Sequence, residues 1–126
     1  MNRQINNNFS KAMLIISIAF VLIYSTAYIQ YNSYAVEGQR YYSLFDDAMI
    51  SMRYAENIAD GNGPVWNPDG EAVEGFSNPL WVYIMSAVHL LQIPKPYTSL
   101  IMQILTVLLL LLNIIIIKRI AEIITN

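Results

Sequence analysis

Two long apolar runs without charge constrain this chain more than any other feature of its sequence. Residues 12–29 form a run of eighteen uncharged residues, and residues 99–117 form a run of nineteen. At about 1.5 Å per residue, a helix of either length approaches the roughly 30 Å thickness of the hydrocarbon core of a bilayer. Charged residues make up 13% of the chain, against roughly 25% in typical soluble domains. The runs therefore predict a membrane protein.

The order of the segments predicts an all-α membrane protein with about three transmembrane helices. The polar loop after the first helix would carry an amphipathic helix lying on the membrane surface. One alternative for the first run is a cleaved signal peptide with Ser25-Thr26-Ala27 at the cleavage site, but the apolar run continues past Ala27 and favours a retained helix. The predicted segments are a polar N-terminus (1–11), a first transmembrane helix (12–34), the loop (35–78) with a helix at about 44–60, a short transmembrane helix (79–93), a third transmembrane helix (98–117) and a polar tail (118–126).

The polar loop at 35–78 is strongly acidic. It holds eight of the nine acidic residues of the chain and only two arginines. This excess argues against a nucleic-acid partner, because nucleic-acid binders present a basic patch. It suits a segment that binds cations or stays soluble outside a bilayer. The chain has no cysteine, which excludes disulfides and thiolate chemistry.

Local signals in the loop predict where its helix begins and ends. Ser43 and Asp46 match a capping box, and Gly61 supplies the positive φ that ends many helices. Asn78 and Pro79 mark the N-cap and first turn of the next helix. One helix face is apolar and is expected to rest on the bilayer surface; its members are Phe45, Ala48, Met52, Ala55 and Ala59.

Many positions from about Tyr42 to Trp81 agree in order with a known signature. They are Asp46-Asp47-Ala48-Met49-Ile50-Ser51-Met52-Arg53-Tyr54-Ala55, Asn57, Gly61, Gly63, Val65, Asn67-Pro68, Gly70-Glu71, Val73-Glu74-Gly75 and Ser77-Asn78-Pro79-Leu80-Trp81. The stretch resembles the first external loop of membrane glycosyltransferases of the GT-C fold that use polyprenyl-phosphate sugars, in particular the bacterial arabinofuranosyltransferase-like branch. The resemblance implies a cytoplasmic N-terminus, an external loop, and an active site that contains Asp46 and Asp47. Family members have many more spans, so it implies that this chain corresponds to their N-terminal part.

The adjacent carboxylates of Asp46 and Asp47 are the candidate catalytic groups. One carboxylate can take the proton of an acceptor hydroxyl. Mg²⁺ or Mn²⁺ would relieve the repulsion between the two acids and bridge to phosphate oxygens, so both are also candidate metal ligands. Neighbours on a helix diverge by about 100°, which predicts split roles, one aimed at the reaction and one capping or orienting. The plainer alternative is that both are first-turn acids favoured by the helix dipole.

Three further residues are candidate substrate ligands, each with a structural alternative. Arg53 could pair with a phosphate or bridge to Glu56 three residues on. Glu74 could contact the sugar or be a solvated loop acid. Trp81, like Trp66, could stack on a sugar ring or lipid, or anchor the chain at the membrane interface.

The remaining polar residues have mainly structural interpretations. Asn57, Asn67 and Asn78 are interpreted as turn and cap residues. His89 is the single histidine of the chain; an ionisable group inside a span is a functional candidate, but near the end of a short helix it is expected to hydrogen-bond a neighbouring span.

Positive charges leave the topology open. With three spans and a cytoplasmic N-terminus, Lys118 and Arg119 lie outside, against the positive-inside tendency that Arg3 and Lys11 obey. A re-entrant 79–93 segment would return them to the cytoplasm. Charge alone favours that arrangement, whereas the resemblance favours three spans in the plasma (inner) membrane.

The sequence thus predicts the N-terminal portion of an enzyme that transfers a sugar from a polyprenyl-phosphate donor to a glycan, lipid or protein acceptor of the cell envelope. Expected partners are membrane lipid, the donor lipid and a second chain that supplies the remaining spans. The alternative is a non-catalytic multi-pass accessory subunit or an inactive truncated product.

Overall fold

The computed structural model describes residues 2–70, 73 and 75–125. Its elements in chain order are α1 (Asn2–Tyr31), β1 (Ser33–Val36), β2 (Gln39–Tyr42), α2 (Asp46–Ala59), α3 (Pro79–His89) and α4 (Lys95–Thr125). They divide into two compact units. One is formed by α1 with α4 from Ile104 onward, and the other by Asn32–Gln103. The chain is mostly helical, as the sequence predicts, with one small β-hairpin in addition.

Two helices among the described residues are long and apolar enough to cross a membrane. They are Ser10–Tyr31, within α1, and Lys95–Ile124, within α4. In the most apolar part of Ser10–Tyr31, none of the residues is buried inside the protein. In the most apolar part of Lys95–Ile124, only 11% of the residues are buried. The core helix of a soluble protein would bury its large apolar side chains. By length, composition and exposure, both helices therefore fit a membrane protein.

Both long helices are longer than the transmembrane helices predicted there. α1 begins at Asn2 instead of residue 12, since residues 2–31 contain no glycine or proline to interrupt it. It ends at Tyr31, three residues before the predicted limit. α4 continues past Ile117 to Thr125, and the ion pair between Lys118 and Glu122, four residues apart, stabilises this extra length.

α3 is shorter than the transmembrane helix predicted at 79–93. Its 11 residues span about 16 Å, roughly half the hydrocarbon thickness of a bilayer. Val82, Met85 and Ser86 are buried, and the helix packs against α2. The described residues therefore contain two helices of spanning length instead of the predicted three.

A β-hairpin follows α1, at residues where the sequence predicts only the end of a helix (to 34) and the start of a loop (from 35). β1 and β2 pair antiparallel, with Tyr34 opposite Tyr41, and the rings of these two tyrosines stack 5.9 Å apart. The turn residues Glu37 and Gly38 both have positive φ, 50° and 81°, as a two-residue type I′ turn requires. Among the described residues, the hairpin is the element that departs from the all-α prediction.

The predicted capping box at the start of α2 is wrong. Phe45 occupies the N-cap position, and no side chain caps the helix. Ser43 Oγ instead donates to the carbonyl of Asn32 at 3.1 Å, where the hairpin closes. The predicted end of the helix is confirmed, because Asp60 is the C-cap and Gly61 follows it with φ 82°.

The face of α2 that packs differs from the predicted apolar face. Met52 and Ala55 are buried, but Phe45 is 74% exposed and the polar Asn57 is 2% exposed. The reason is that α2 is covered on two sides, by α3 and by the loop that follows α2. Met52 and Ala55, predicted to rest on the bilayer, lie inside the protein. The other buried apolar residues among those described are Tyr54, Val82, Met85, Val88 and Met102.

Candidate functional site

The loop after α2 turns back along this helix, and polar side chains of α2 hold its first part. Asn57 Nδ2 donates to the carbonyls of Val65 and Trp66 at 2.7 and 2.9 Å. Arg53 Nε donates to the same Trp66 carbonyl at 3.3 Å, and its Nη1 bridges to Glu56 at 3.2 Å. Arg53 was predicted either to pair with a phosphate or to bridge to Glu56, and the structure contains the bridge to Glu56. Asn57 is a loop anchor, which is close to its predicted turn role.

Tyr54 holds the middle of the loop. Its side chain is only 2% exposed, and its hydroxyl donates to the Val73 carbonyl at 2.9 Å. Its ring lies 5.9 Å from that of Trp66 and 5.1 Å from that of Phe76. The backbone of Gly75 passes so close that a Cβ there would lie 2.6 Å from Tyr54 Cε2. Only a glycine allows this approach without moving the ring.

Ser51 brings the end of the loop to the N-terminal half of α2. Its hydroxyl donates to Asn78 Oδ1 at 3.1 Å. Ser51 lies one helical turn beyond Asp47 on the same side of α2, and Asn78 directly precedes Pro79, the first residue of α3. Two parts of the signature described above, α2 and the residue that precedes α3, are therefore held together although they are far apart in the sequence. The predicted N-cap position of Asn78 and the helix start at Pro79 are confirmed, but the Asn78 side chain bonds Ser51 and makes no capping hydrogen bond.

Asp46 and Asp47 are the first two residues of α2, and both side chains are exposed. Among the described residues, no hydrogen bond or ion pair to either carboxylate is found. Their position next to free backbone N–H groups at a helix start stabilises negative charge. They diverge by about 100° around the helix axis, so the two carboxylates point to different surroundings. The site thus offers two accessible acids on a helix that packing holds in place.

Of the two other candidate sugar-binding residues, Trp81 and Glu74, the structure describes only Trp81. Trp81 lies in the first turn of α3, half-buried, with its backbone N–H bonded to the Asn78 carbonyl at 3.0 Å. It is therefore attached to the same junction as the Ser51–Asn78 pair. Glu74, the other predicted sugar ligand, lies outside the described residues.

Charged groups collect at the opposite end of α2. Glu56 accepts hydrogen bonds from Lys95 at 2.8 Å and Arg53 at 3.2 Å. The bond from Lys95, more than that from Arg53, lowers the pKa of Glu56 below its ordinary value against the opposing effect of burial. Lys95 is the first residue of α4, so this ion pair attaches the start of α4 to α2 within the unit Asn32–Gln103.

His89 contacts α2 from the end of α3, whereas the predicted partner was a neighbouring span; α2 is not one of the two candidate spans. Its Nε2 lies 3.0 Å from Met52 Sδ. Burial lowers the pKa of His89 below its ordinary value of 6.5, and Lys95 acts in the same direction. The negative charges of Glu56 and Asp60 oppose this shift without reversing it. The folded protein therefore favours neutral His89.

This shift predicts a loss of stability on mild acidification. When folding lowers the pKa of a histidine, the resulting contribution to stability is fully present above the pKa that the histidine has in the unfolded chain. This contribution is lost as the pH falls through the pKa that it has in the folded protein. We expect the urea concentration at the unfolding midpoint of the unit Asn32–Gln103 to be lower at about pH 5.5 than at about pH 7.5. His89→Gln should flatten this dependence. The measurement is intrinsic fluorescence of Trp66 and Trp81, and an unchanged slope in the variant would contradict the assignment to His89.

The residues offer a partial donor set for a divalent cation. Carboxylate oxygens are the ligands that Mg²⁺ and Mn²⁺ prefer. In the part of the chain that the structure describes, no group of three or more histidine or acidic side chains could hold a metal ion. Because Asp46 and Asp47 diverge, one of them at a time would hold a cation, with its other ligands taken from phosphate and water.

Three residues that position this site were not predicted from the sequence in that role. Ser51 and Tyr54 lie within the signature, and their spacing of three residues is the one local signal that they share a side of α2. Lys95 is 39 residues from its partner Glu56, and no local pattern connects them.

Comparison of the chain with family models, curated proteins and solved structures found no match. The glycosyltransferase resemblance accordingly stays a prediction.

Proposed function

We propose that this chain contributes the acidic loop of a membrane glycosyltransferase that uses a polyprenyl-phosphate sugar, with Asp46 and Asp47 in the active site. One observation carries the proposal. The Ser51–Asn78 hydrogen bond joins α2 to the C-terminal part of the signature, while the carboxylates of Asp46 and Asp47 remain exposed on a packed helix. Exposed acids without a protein partner among the described residues are available to a substrate.

One carboxylate of the pair acts as a general base. It receives the proton of the acceptor hydroxyl as the hydroxyl oxygen bonds to the anomeric carbon of the donor sugar. The bond between that carbon and the phosphate oxygen breaks, and its electron pair leaves with the polyprenyl phosphate. The other carboxylate orients the site or holds a cation. A bound Mg²⁺ or Mn²⁺ would neutralise charge on the leaving phosphate.

The protein lies in the plasma (inner) membrane with two spans, α1 and α4. Two spans place both ends of the described chain on one side and the segment between them, with Asp46 and Asp47, on the other. Lys118 and Arg119 then share the cytoplasm with Arg3 and Lys11, which satisfies the positive-inside tendency. This arrangement removes the conflict that three spans create.

The test is sugar transfer by membranes. Membranes depleted of the chain, and the same membranes with the chain restored, are given radiolabelled polyprenyl-phosphate sugars. We expect labelled acceptor only where the chain is present, with the remaining spans supplied by a second chain. Equal labelling in both preparations contradicts the proposal. If the chain copurifies with a larger transferase that is fully active without it, the chain is an accessory subunit instead.

A further inference from the structure

One polar side chain lies inside the most apolar stretch of α4. Asn113 stands between the Leu108–Leu112 run and the Ile114–Ile117 run, five residues before Lys118. Five residues correspond to about 7.5 Å along a helix, which places Asn113 within the hydrocarbon region. The residue is exposed, so a second helix can reach it from outside the protein.

The amide of Asn113 is only half satisfied. Its Nδ2 donates to the carbonyl of Leu109 at 3.0 Å, one turn back on the same helix. No hydrogen bond to its Oδ1 is found among the described residues. A polar group without a partner is costly in hydrocarbon, where no water can replace the missing bond. Asparagine carries two N–H donors and a carbonyl acceptor, so one N–H and the carbonyl remain available.

From this geometry we infer that α4 pairs with α4 of a second copy of this chain through Asn113. An amide is complementary to itself, because the carbonyl of each can accept the free N–H of the other. In a dimer with a two-fold axis, the free N–H and the carbonyl of each Asn113 amide both find a partner on the Asn113 of the other copy. Asparagine side chains that bond across helices are a recognised cause of helix association in membranes. The inference rests on α4 crossing the bilayer, and it does not depend on glycosyl transfer.

The surroundings of Asn113 allow a second helix to approach. Thr106, Leu110 and Ile117 lie seven, three and four residues away, so they share its side of α4. All four residues are exposed. The half-buried residues of this stretch lie on a different side of the helix; they are Val107, Leu111 and Ile114.

Cysteine cross-linking of the full chain in lipid vesicles tests the pairing, because the natural chain has no cysteine. Ile117→Cys lies one turn from Asn113 on the same side, and Ile115→Cys, also exposed, lies on the opposite side as a matched control. We expect mild oxidation to yield disulfide-linked dimers from Ile117→Cys and not from Ile115→Cys. The inference would be overturned by equal cross-linking at both positions or by no cross-linking at either. A disulfide-linked product that joins this chain to a different protein would also overturn it.

A second substitution shows whether the amide is responsible. In the Ile117→Cys background, Asn113→Leu should raise the dissociation constant of the dimer roughly 3- to 30-fold, while Asn113→Gln should retain dimers. Undiminished dimers in Asn113→Leu contradict the inference, as does release of the chain from vesicles by alkaline carbonate. Because cross-linking is independent of sugar transfer, it separates this inference from the proposed function.

Discussion

Replacing Asp46 and Asp47 together by asparagine is expected to lower sugar transfer at least ~100-fold, the lower end of what general acid–base catalysis contributes. Asparagine keeps the size of the side chain, but it exchanges one carboxylate oxygen for an NH₂ donor and cannot accept the proton of an acceptor hydroxyl. If the roles are split, one single variant should lose most activity and the other should lose less. The measurement is transfer of radiolabelled sugar by membranes that contain each variant.

Asp69→Asn is the matched control, since Asp69 is another exposed acid of the same unit. It should leave transfer unchanged. The double variant should also remain folded, because losing two first-turn acids costs only about 0.3–1 kcal/mol each through the helix dipole. Full activity of both single variants would contradict a catalytic role and leave Asp46 and Asp47 as helix-stabilising residues.

Tyr54→Ala is expected to destabilise the unit Asn32–Gln103 by about 3–5 kcal/mol, the usual cost of truncating a large buried ring. Tyr54 is 2% exposed, contacts the rings of Trp66 and Phe76, and holds the Val73 carbonyl. Removing its ring leaves the loop without its central support. Urea unfolding followed by tryptophan fluorescence measures the effect, because both tryptophans of the chain, Trp66 and Trp81, belong to this unit.

Tyr54→Phe separates the hydroxyl from the ring. It keeps the ring contacts and removes one hydrogen bond, at a cost of about 0.5–1.5 kcal/mol. If Tyr54→Ala costs no more than Tyr54→Phe, the ring does not support the loop. Trp66→Phe offers a milder comparison, because Trp66 is 42% exposed and part of its surface contacts no protein.

The elements set by local sequence could be predicted. Uncharged apolar runs long enough to span a bilayer predict α1 and α4, because few other structures accommodate them. Pro79 fixes the start of α3, and Gly61 the end of α2, through backbone preferences of single residues. These features depend on neighbours in the chain and need no knowledge of the fold.

The elements set by distant contacts could not be predicted. Ser43 satisfies the cap pattern, but the hairpin gives it Asn32 as a partner, and the hairpin turn at Glu37-Gly38 is a weaker signal than Asn-Gly or Asp-Gly. The burial of Asn57 depends on two carbonyls supplied by the returning loop. At the candidate site, exposure of Asp46 and Asp47 at the start of a helix follows from the sequence, whereas the Ser51–Asn78 junction depends on the path of the loop.

Chemical labelling from the outer side of the membrane tests the central claim most directly. Phe45→Cys places the only thiol of the chain beside Asp46 and Asp47, at a position whose natural side chain is 74% exposed, without changing either acid. In sealed right-side-out vesicles, an impermeant maleimide should label this cysteine fully before the membrane is opened. Labelling only after the vesicles are opened would put the acidic pair in the cytoplasm, and no labelling even in detergent would mean that it is buried; either result contradicts the account.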